Sequence, residues 1–229
     1  MQKFRAVLFD LDNTLSDFMQ MKAEACKAGV YAMVAAGLRT PVDEAYASLM
    51  EAYFAAGLES DEAFSAFLRK VGQFDHKILA AAINAYLDTK KGFLKPYPNF
   101  ADVLDELRKR GYLLGVVTDA PKTKAYQRLF AMDLERHFQF VLGFEDTGAK
   151  KQTGLPIQLA LDLLRKDLSE LASSEVLMVG DSVERDLCPA KNLGLKTALS
   201  LYGQWGEENV SGGMVDFELT HFGDLLKIL

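Results

Sequence analysis

Five short, mainly apolar runs recur along the chain, and amphipathic patterns lie between the later ones. Runs of this kind predict strands that are buried on both faces of a parallel sheet. The predicted strands are residues 6–9, 113–117, 138–142, 176–179 and 196–201, and the predicted helices are residues 99–110, 156–164 and 187–193. Strands that alternate with helices in this way are typical of an α/β fold with an open, doubly wound sheet.

Residues 16–92 break this rhythm, because they contain several Ala-rich helical segments and no convincing strand. Thr40-Pro41-Val42-Asp43 predicts a helix start, as a capping box with Pro at the first helical position. Ser60 and Asp75 are predicted to cap the next two segments. The pattern therefore predicts an all-helical insertion of about four helices directly after the first strand.

The chain is predicted to return to the sheet at Leu94-Lys95-Pro96-Tyr97-Pro98, whose two prolines indicate a stiff link and not a helix. We expect two units: a mostly parallel, Rossmann-like α/β catalytic core of residues 1–15 and 93–229, and a helical cap domain of residues 16–92. In an open parallel sheet, ligands bind beyond the carboxyl ends of the strands, where the strand order reverses. An insertion at that place is expected to act as a lid.

The composition is that of an ordinary globular protein, with 49% of the 229 residues hydrophobic and 25% charged. The longest stretch without Asp, Glu, Lys or Arg, residues 28–38, is shorter than the ~18 residues that a membrane-spanning helix needs. The formal net charge of -6 and the scattered Lys and Arg residues argue against a nucleic-acid partner. We therefore expect neither membrane nor nucleic acid as a partner, and the oligomeric state stays open.

Cysteine usage bears on the cellular compartment. Cys26 and Cys188 stand far apart and match no metal-ligand spacing, which favours two free thiols in a reducing environment. The first apolar run is interrupted at once by Asp10 and Asp12, unlike the core of a signal peptide. Both observations predict a cytoplasmic protein.

Two carboxylates follow the first predicted strand without a break, in Asp10-Leu11-Asp12-Asn13-Thr14. Side chains two residues apart project the same way from an extended chain, so both carboxylates could face one cleft. Two carboxylates that converge there repel each other unless a cation lies between them or one is protonated. A single Asp after a strand is commonly a turn former, but the pair in this motif indicates a reactive site.

This motif resembles the first motif of the haloacid dehalogenase superfamily, Asp-x-Asp-x-Thr after the first strand, and the resemblance extends over the whole chain. Thr118 ends the next core strand, where that family has the Ser or Thr of its second motif. Gly180-Asp181-Ser182-Val183-Glu184-Arg185-Asp186 resembles the acidic fourth motif. The helical insertion matches the family's C1-type cap. The resemblance implies a phosphatase-like hydrolase on a Rossmann-like core.

The third motif of that family is a Lys before a helix, often in Lys-Pro-x-Pro. Here Lys150 and Lys151 precede the helical pattern that begins near Pro156, and neither is followed directly by Pro. Counting back from the helix favours Lys151 over Lys150, although a solvated pair of loop lysines is the simpler alternative.

The residues also suit phosphoryl transfer, which needs a nucleophile, a proton-transfer group and positive charge around the transferring oxygens. Asp10 suits the nucleophile, because a carboxylate forms an aspartyl-phosphate that water hydrolyses. Asp12 would protonate the leaving oxygen and then deprotonate the attacking water. Thr118 and Lys151 would hold the phosphoryl oxygens, with Asn13 as a further donor.

A divalent cation is the expected cofactor. Oxygen ligands from Asp10 and Asp181 suit Mg²⁺, and the resemblance adds the backbone carbonyl of Asp12. Asp186 is predicted to orient Lys151 or a metal-bound water. Glu184 is predicted to be a solvated loop residue, and whether either of these two acids touches the metal stays open.

The sequence therefore predicts an Mg²⁺-dependent phosphatase that acts on a small phosphorylated metabolite through an aspartyl-phosphate. Three alternatives stay open. A haloacid dehalogenase would use Asp10 on carbon, but the superfamily's dehalogenases lack the second aspartate, Asp12. A phosphomutase would share all four motifs. A non-catalytic binding protein on this fold would have no need of the full set of acids.

Overall fold

The computed structural model describes residues 4–205 and 213–229, and the chain divides into two units. One unit comprises the residues up to Asp17 and from Lys95 onward, and the other is Phe18–Leu94. Their predicted roles as catalytic core and cap stay predictions.

A parallel sheet forms the centre of the first unit. Its strands are β1 (Ala6–Phe9), β2 (Leu113–Val117), β3 (Phe140–Leu142), β4 (Val176–Gly180), β5 (Lys196–Ser200) and β6 (Phe217–Leu219). The spatial order is β3-β2-β1-β4-β5-β6, and every neighbouring pair is parallel. This confirms the predicted doubly wound α/β class. The short strand β6 was not predicted, and β3 begins two residues later than the pattern indicated.

The helices lie between these strands and in the second unit. They are α1 (Phe18–Ala36), α2 (Val42–Ala56), α3 (Ala63–Lys70), α4 (His76–Phe93), α5 (Phe100–Lys109), α6 (Lys122–Ala131), α7 (Leu155–Asp167), α8 (Cys188–Asn192) and α9 (Leu225–Ile228). None of the helices in the described part of the chain combines the length and apolar composition that crossing a bilayer requires.

Burial explains the strand pattern. All four residues of β1 are fully buried, because a strand in the middle of the sheet is covered on both faces. On one face, Ile157 and Leu161 of α7 pack in a cluster with Leu8 of β1 and Met178 of β4. This packing holds β1 and β4 side by side, so it also fixes where their carboxyl ends lie.

The second unit consists of α1 to α4, and its core includes Leu49, Phe67 and Ala82. Asp75 caps α4 as predicted, because its carboxylate accepts hydrogen bonds from the backbone of the first turn. The predicted capping box at Thr40 is wrong. The side chain of Thr40 instead accepts a hydrogen bond from Gln73 over 3.0 Å, and α2 starts without a side-chain cap.

Candidate active site

Asp10 and Asp181 come together because β1 and β4 are neighbours. The strand order reverses between these two strands, since β2 and β3 lie on one side of β1 while β4 to β6 lie on the other. Asp10 follows β1, and its backbone N–H donates to Val179 of β4 over 2.9 Å. Asp181 follows β4, and both carboxylates are buried. The two acids therefore lie at the switch point, where open α/β sheets bind their ligands.

Lys151 lies against these carboxylates. It opens a short 3-10 turn before α7, and Gly154 reverses the chain there with a φ of +79°. The Lys151 ammonium contacts the Asp10 carboxylate and lies 2.6 Å from Asp186 Oδ1. Its backbone N–H donates to Asp119 over 2.8 Å, whereas the neighbouring Lys150 is exposed.

Asp186 reaches Lys151 from a wide, π-helical turn at Val183–Leu187. Its carboxylate also accepts a hydrogen bond from the backbone of Ser182 over 3.2 Å. Gly180 makes room for this arrangement, because a Cβ at that position would lie 2.5 Å from Asp186 Oδ2. The predicted supporting role of Asp186 is compatible with this contact and stays a prediction.

Electrostatics in this cluster depend on burial and on pairing. Burial opposes the charged form of Lys151, but the neighbouring Asp10, Asp186 and Asp119 outweigh it and raise the pKa of Lys151 above its usual range. Burial, with the charges of Asp10 and Asp186, raises the pKa of Asp181 to about 8. Crowded carboxylates gain from a cation that offsets their mutual repulsion.

The acidic residues fit a divalent metal ion. Oxygen atoms of Asp10, Asp181 and Asp186 lie within 4.8 Å of one another, and all three residues are buried. Carboxylate oxygens are the donors that Mg²⁺ and similar hard cations take. Asp12 is predicted to be a ligand through its backbone carbonyl, and this cluster of side-chain oxygens does not test that prediction. The Asp12 carboxylate lies outside the cluster and is paired elsewhere.

The carboxylate of Asp12 is paired with Arg128. Arg128 Nη1 donates to Asp12 Oδ2 over 3.0 Å, and the Arg128 side chain is almost completely buried. Arg128 was not identified from the sequence. The sequence did contain an indication, because Arg128 shares one helical face with the apolar residues Ala125 and Leu129, and a charge on such a face is unusual.

Thr118 and Asn13 occupy strand-end positions near the cluster. Thr118 follows β2 and is buried, and its hydroxyl accepts a hydrogen bond from the backbone of Ala120 over 3.2 Å. Asn13 has a left-handed φ of +62°, and its amide donates to Asp181 Oδ2 over 3.3 Å. Asn13 is predicted to give the phosphate a side-chain or a backbone donor, and in this structure its side-chain amide is turned toward Asp181.

A segment after β5 supports the Asp10–Thr14 turn, and sequence reasoning did not find it. Tyr202 donates its hydroxyl hydrogen to the Thr14 carbonyl over 3.0 Å, and the Thr14 hydroxyl lies 3.4 Å from Asp10 Oδ2. Gly203 packs so closely that a Cβ there would lie 1.5 Å from the Asn13 carbonyl oxygen. These contacts set the position of the turn that carries Asp10.

Glu184 and Arg185, the other two charged residues of the fourth motif, have different surroundings. Glu184 is exposed, as predicted, and accepts a hydrogen bond from Gln152 over 3.1 Å. Arg185 Nη2 lies 3.4 Å from both carboxylate oxygens of Asp181. Arg185 therefore adds positive charge at the edge of the acidic cluster.

Comparison with known proteins shows what the chain resembles. The family model described as haloacid dehalogenase-like hydrolase matches residues 7–200. A glyceraldehyde 3-phosphate phosphatase of Pyrococcus furiosus is 29% identical, with 100% of this chain and 94% of the relative covered. A phosphoglycolate phosphatase of Aquifex aeolicus is 28% identical, with 98% of this chain and 96% of the relative covered. The magnesium-bound hydrolase YfnB of Bacillus subtilis shares the fold, with a TM-score of 0.69, 20% identity and 99% of each chain covered.

Proposed function

The chain belongs to the haloacid dehalogenase-like hydrolase family, and we propose that it is an Mg²⁺-dependent phosphatase for a small phosphorylated metabolite. The family membership confirms the resemblance noted from the sequence. The phosphatase relatives, aligned over nearly the whole chain, confirm the predicted class, a hydrolase of phosphoric monoesters. The metal, the reaction intermediate and the substrate are the proposed parts.

The observation that carries the proposal is the environment of Asp10. Its carboxylate is buried at the end of β1, in contact with the Lys151 ammonium and 3.4 Å from the Thr14 hydroxyl. Such contacts hold the carboxylate in one orientation, which an attacking group needs. Lys151 also supplies positive charge where the phosphoryl oxygens would lie.

The proposed reaction has two steps. In the first, an Asp10 oxygen bonds to phosphorus while the bond from phosphorus to the leaving oxygen breaks, and Asp12 gives that oxygen a proton. In the second, a water oxygen bonds to phosphorus, Asp12 takes the water proton, and the bond between Asp10 and phosphorus breaks to release phosphate. Thr118 and Lys151 hold the phosphoryl oxygens in both steps.

Asp10 and Asp181 would hold the metal, with Asp186 beside them and the backbone carbonyl of Asp12 as a further ligand implied by the family resemblance. When bound, the cation neutralises negative charge on the transferring group. The magnesium-bound state of YfnB supports this choice of cation.

The substrate is proposed from the relatives, which are named for glyceraldehyde 3-phosphate and phosphoglycolate. Both are short-chain phosphomonoesters, so we propose a substrate of similar size for this chain. The predicted cytoplasmic location suits such a metabolite.

The test is a phosphate-release panel of small phosphomonoesters that includes these two compounds, run with Mg²⁺ and with excess chelator. We expect Mg²⁺-dependent release of phosphate by the wild type and loss of nearly all turnover in Asp10→Asn, because an amide does not attack phosphorus. Asp162→Asn, at an exposed position on α7, is the matched control and should retain activity. Retention of more than about a hundredth of wild-type activity by Asp10→Asn would refute the nucleophile assignment. Full activity in chelator would refute the metal requirement.

A further inference from the structure

Arg128 places a permanent positive charge beside Asp12 within the α/β unit. It lies on the buried face of α6 with Ala125 and Leu129, and its side chain is 2% exposed. Burial of a guanidinium is costly unless it is paired, and a helix face of this kind is ordinarily apolar. The position of Arg128 therefore indicates a role beyond packing.

The two carboxylate oxygens of Asp12 have different surroundings. Oδ2 accepts a hydrogen bond from Arg128 Nη1 over 3.0 Å. Oδ1 is buried and makes no hydrogen bond to any residue that the structure describes. Buried carboxylate oxygens are normally paired, so an exception calls for a reason. An oxygen that exchanges a proton with a reactant has to keep its hydrogen-bonding capacity free of protein donors, and Oδ1 meets this condition.

We propose that Arg128 is a positioning residue for Asp12, which anchors Oδ2 so that Oδ1 is the atom that exchanges the proton. This inference rests on the proposed phosphatase function. In the first step, the proton moves from Oδ1 to the leaving oxygen as the bond between that oxygen and phosphorus breaks. In the second step, Oδ1 takes the proton of the water whose oxygen bonds to phosphorus. Arg128 keeps its own protons throughout, because a guanidinium is not deprotonated in proteins.

The proposal predicts that the effect of Arg128 depends on the leaving group. An alkyl phosphate releases an alkoxide that needs a proton, whereas p-nitrophenyl phosphate releases a phenolate that is stable without one. A positioned acid contributes about 10²–10⁴-fold to the rate of a reaction that needs it. The kcat/KM value reports the steps up to departure of the leaving group, so it isolates the acid step from the later attack of water.

The experiment measures kcat/KM of Arg128→Met for p-nitrophenyl phosphate and for the best alkyl phosphate of the phosphate-release panel. We expect a loss of at least about tenfold for the alkyl phosphate and less than about threefold for p-nitrophenyl phosphate. Arg128→Lys, which keeps a positive charge near Asp12, should recover part of the loss. Arg136→Met removes an exposed arginine that pairs with Asp133, and as the matched control it should leave both values unchanged.

Equal losses on the two substrates would overturn the proposal, because a merely structural role lowers both alike. Unchanged kcat/KM on both substrates would overturn it as well. Thermal unfolding checks that each variant is folded, and if Arg128→Met does not fold, Arg128→Lys is judged by the same comparison. A wild-type protein that releases no phosphate would refute the phosphatase proposal and this inference together. With an active wild type and an inactive Asp10→Asn, equal losses would refute the role of Arg128 alone.

Discussion

Replacing Lys151 with Met removes one positive charge from the centre of the candidate site and preserves most of the side-chain length. The Lys151 side chain is 2% exposed and its ammonium contacts the carboxylates of both Asp10 and Asp186. In Lys151→Met, these two buried carboxylates would face each other without that cation. The phosphoryl group that we propose to bind beside Asp10 would lose the same favourable charge.

The magnitude follows from the number of contacts. A hydrogen bond to a charged group contributes about 1.5–3 kcal/mol. Lys151 forms such a bond with Asp10 and an ion pair over 2.6 Å with Asp186, which we count at the same value. If the transition state depends on both contacts, their loss costs about 3–6 kcal/mol. Since about 1.4 kcal/mol changes a rate tenfold, we expect kcat/KM to fall by about two to four orders of magnitude.

The neighbouring lysine provides a matched control, because Lys150 carries the same charge one position earlier and is exposed. Lys150→Met should change kcat/KM by less than about threefold, as surface substitutions typically shift energies by ~0.5 kcal/mol or less. Phosphate release measures both variants, and thermal unfolding confirms that each is folded. A loss below tenfold in Lys151→Met would refute the reasoning, and an equal or greater loss in Lys150→Met would move the third motif by one residue.

Two further predictions concern residues that stabilise the α/β unit, Gly203 and Asp216. Gly203→Ala should lower phosphatase activity at least tenfold, because its Cβ would lie 1.5 Å from the Asn13 carbonyl oxygen and displace the turn that carries Asp10. Gly92→Ala, with open space around it, is the control that should retain activity. Burial works against ionisation of Asp216, but hydrogen bonds from Lys191, Thr197 and Lys196 outweigh it and lower the pKa of Asp216 to about 2, from an ordinary 3.8. This ionisation contributes roughly 2 kcal/mol to the free energy of unfolding above pH 4, and the contribution is lost as the pH falls through about 2. Denaturant titrations of wild type and Asp216→Asn should therefore differ by about that amount at pH 7 and converge near pH 2; a constant difference would contradict the assignment.

The strands of the sheet were the most predictable part of the fold. Strands β1, β2 and β4 lie in the middle of the sheet and are covered on both faces, so their sequences are continuous apolar runs. Strand β6, at the edge, has only three residues, Phe217–Leu219, and its middle residue is exposed. A short strand with a solvent-facing residue leaves too weak a pattern to be recognised from sequence.

Helix starts were predicted less well, because a cap depends on where a side chain finds its partner. Asp75 finds the backbone N–H groups of its own helix, so the local signal sufficed. Thr40 bonds instead to Gln73, 33 residues away in sequence. A contact of that range is decided by the packing of the helical unit and is not visible in the residues around Thr40.

For the candidate site, the sequence by itself determined which residues follow the central strands. Asp10, Thr118 and Asp181 are adjacent in sequence to β1, β2 and β4, and parallel strands bring their carboxyl ends to one edge. Strand pattern and motif spacing were therefore enough to propose one site. The preference for Lys151 over Lys150 came from the register of α7, and the structure places the ammonium of Lys151, and not that of Lys150, on Asp10.

Only the tertiary structure decided the partners that come from distant parts of the chain. Arg128 pairs with Asp12 across 116 positions, and Tyr202 reaches Thr14 across 188. The sequence carries the side chains for these contacts but no local periodicity that links them, because each contact depends on how two elements pack against the same sheet. Hydrophobic patterning determines which face of α6 is buried, whereas the packed fold determines that the charge on this face lies beside Asp12.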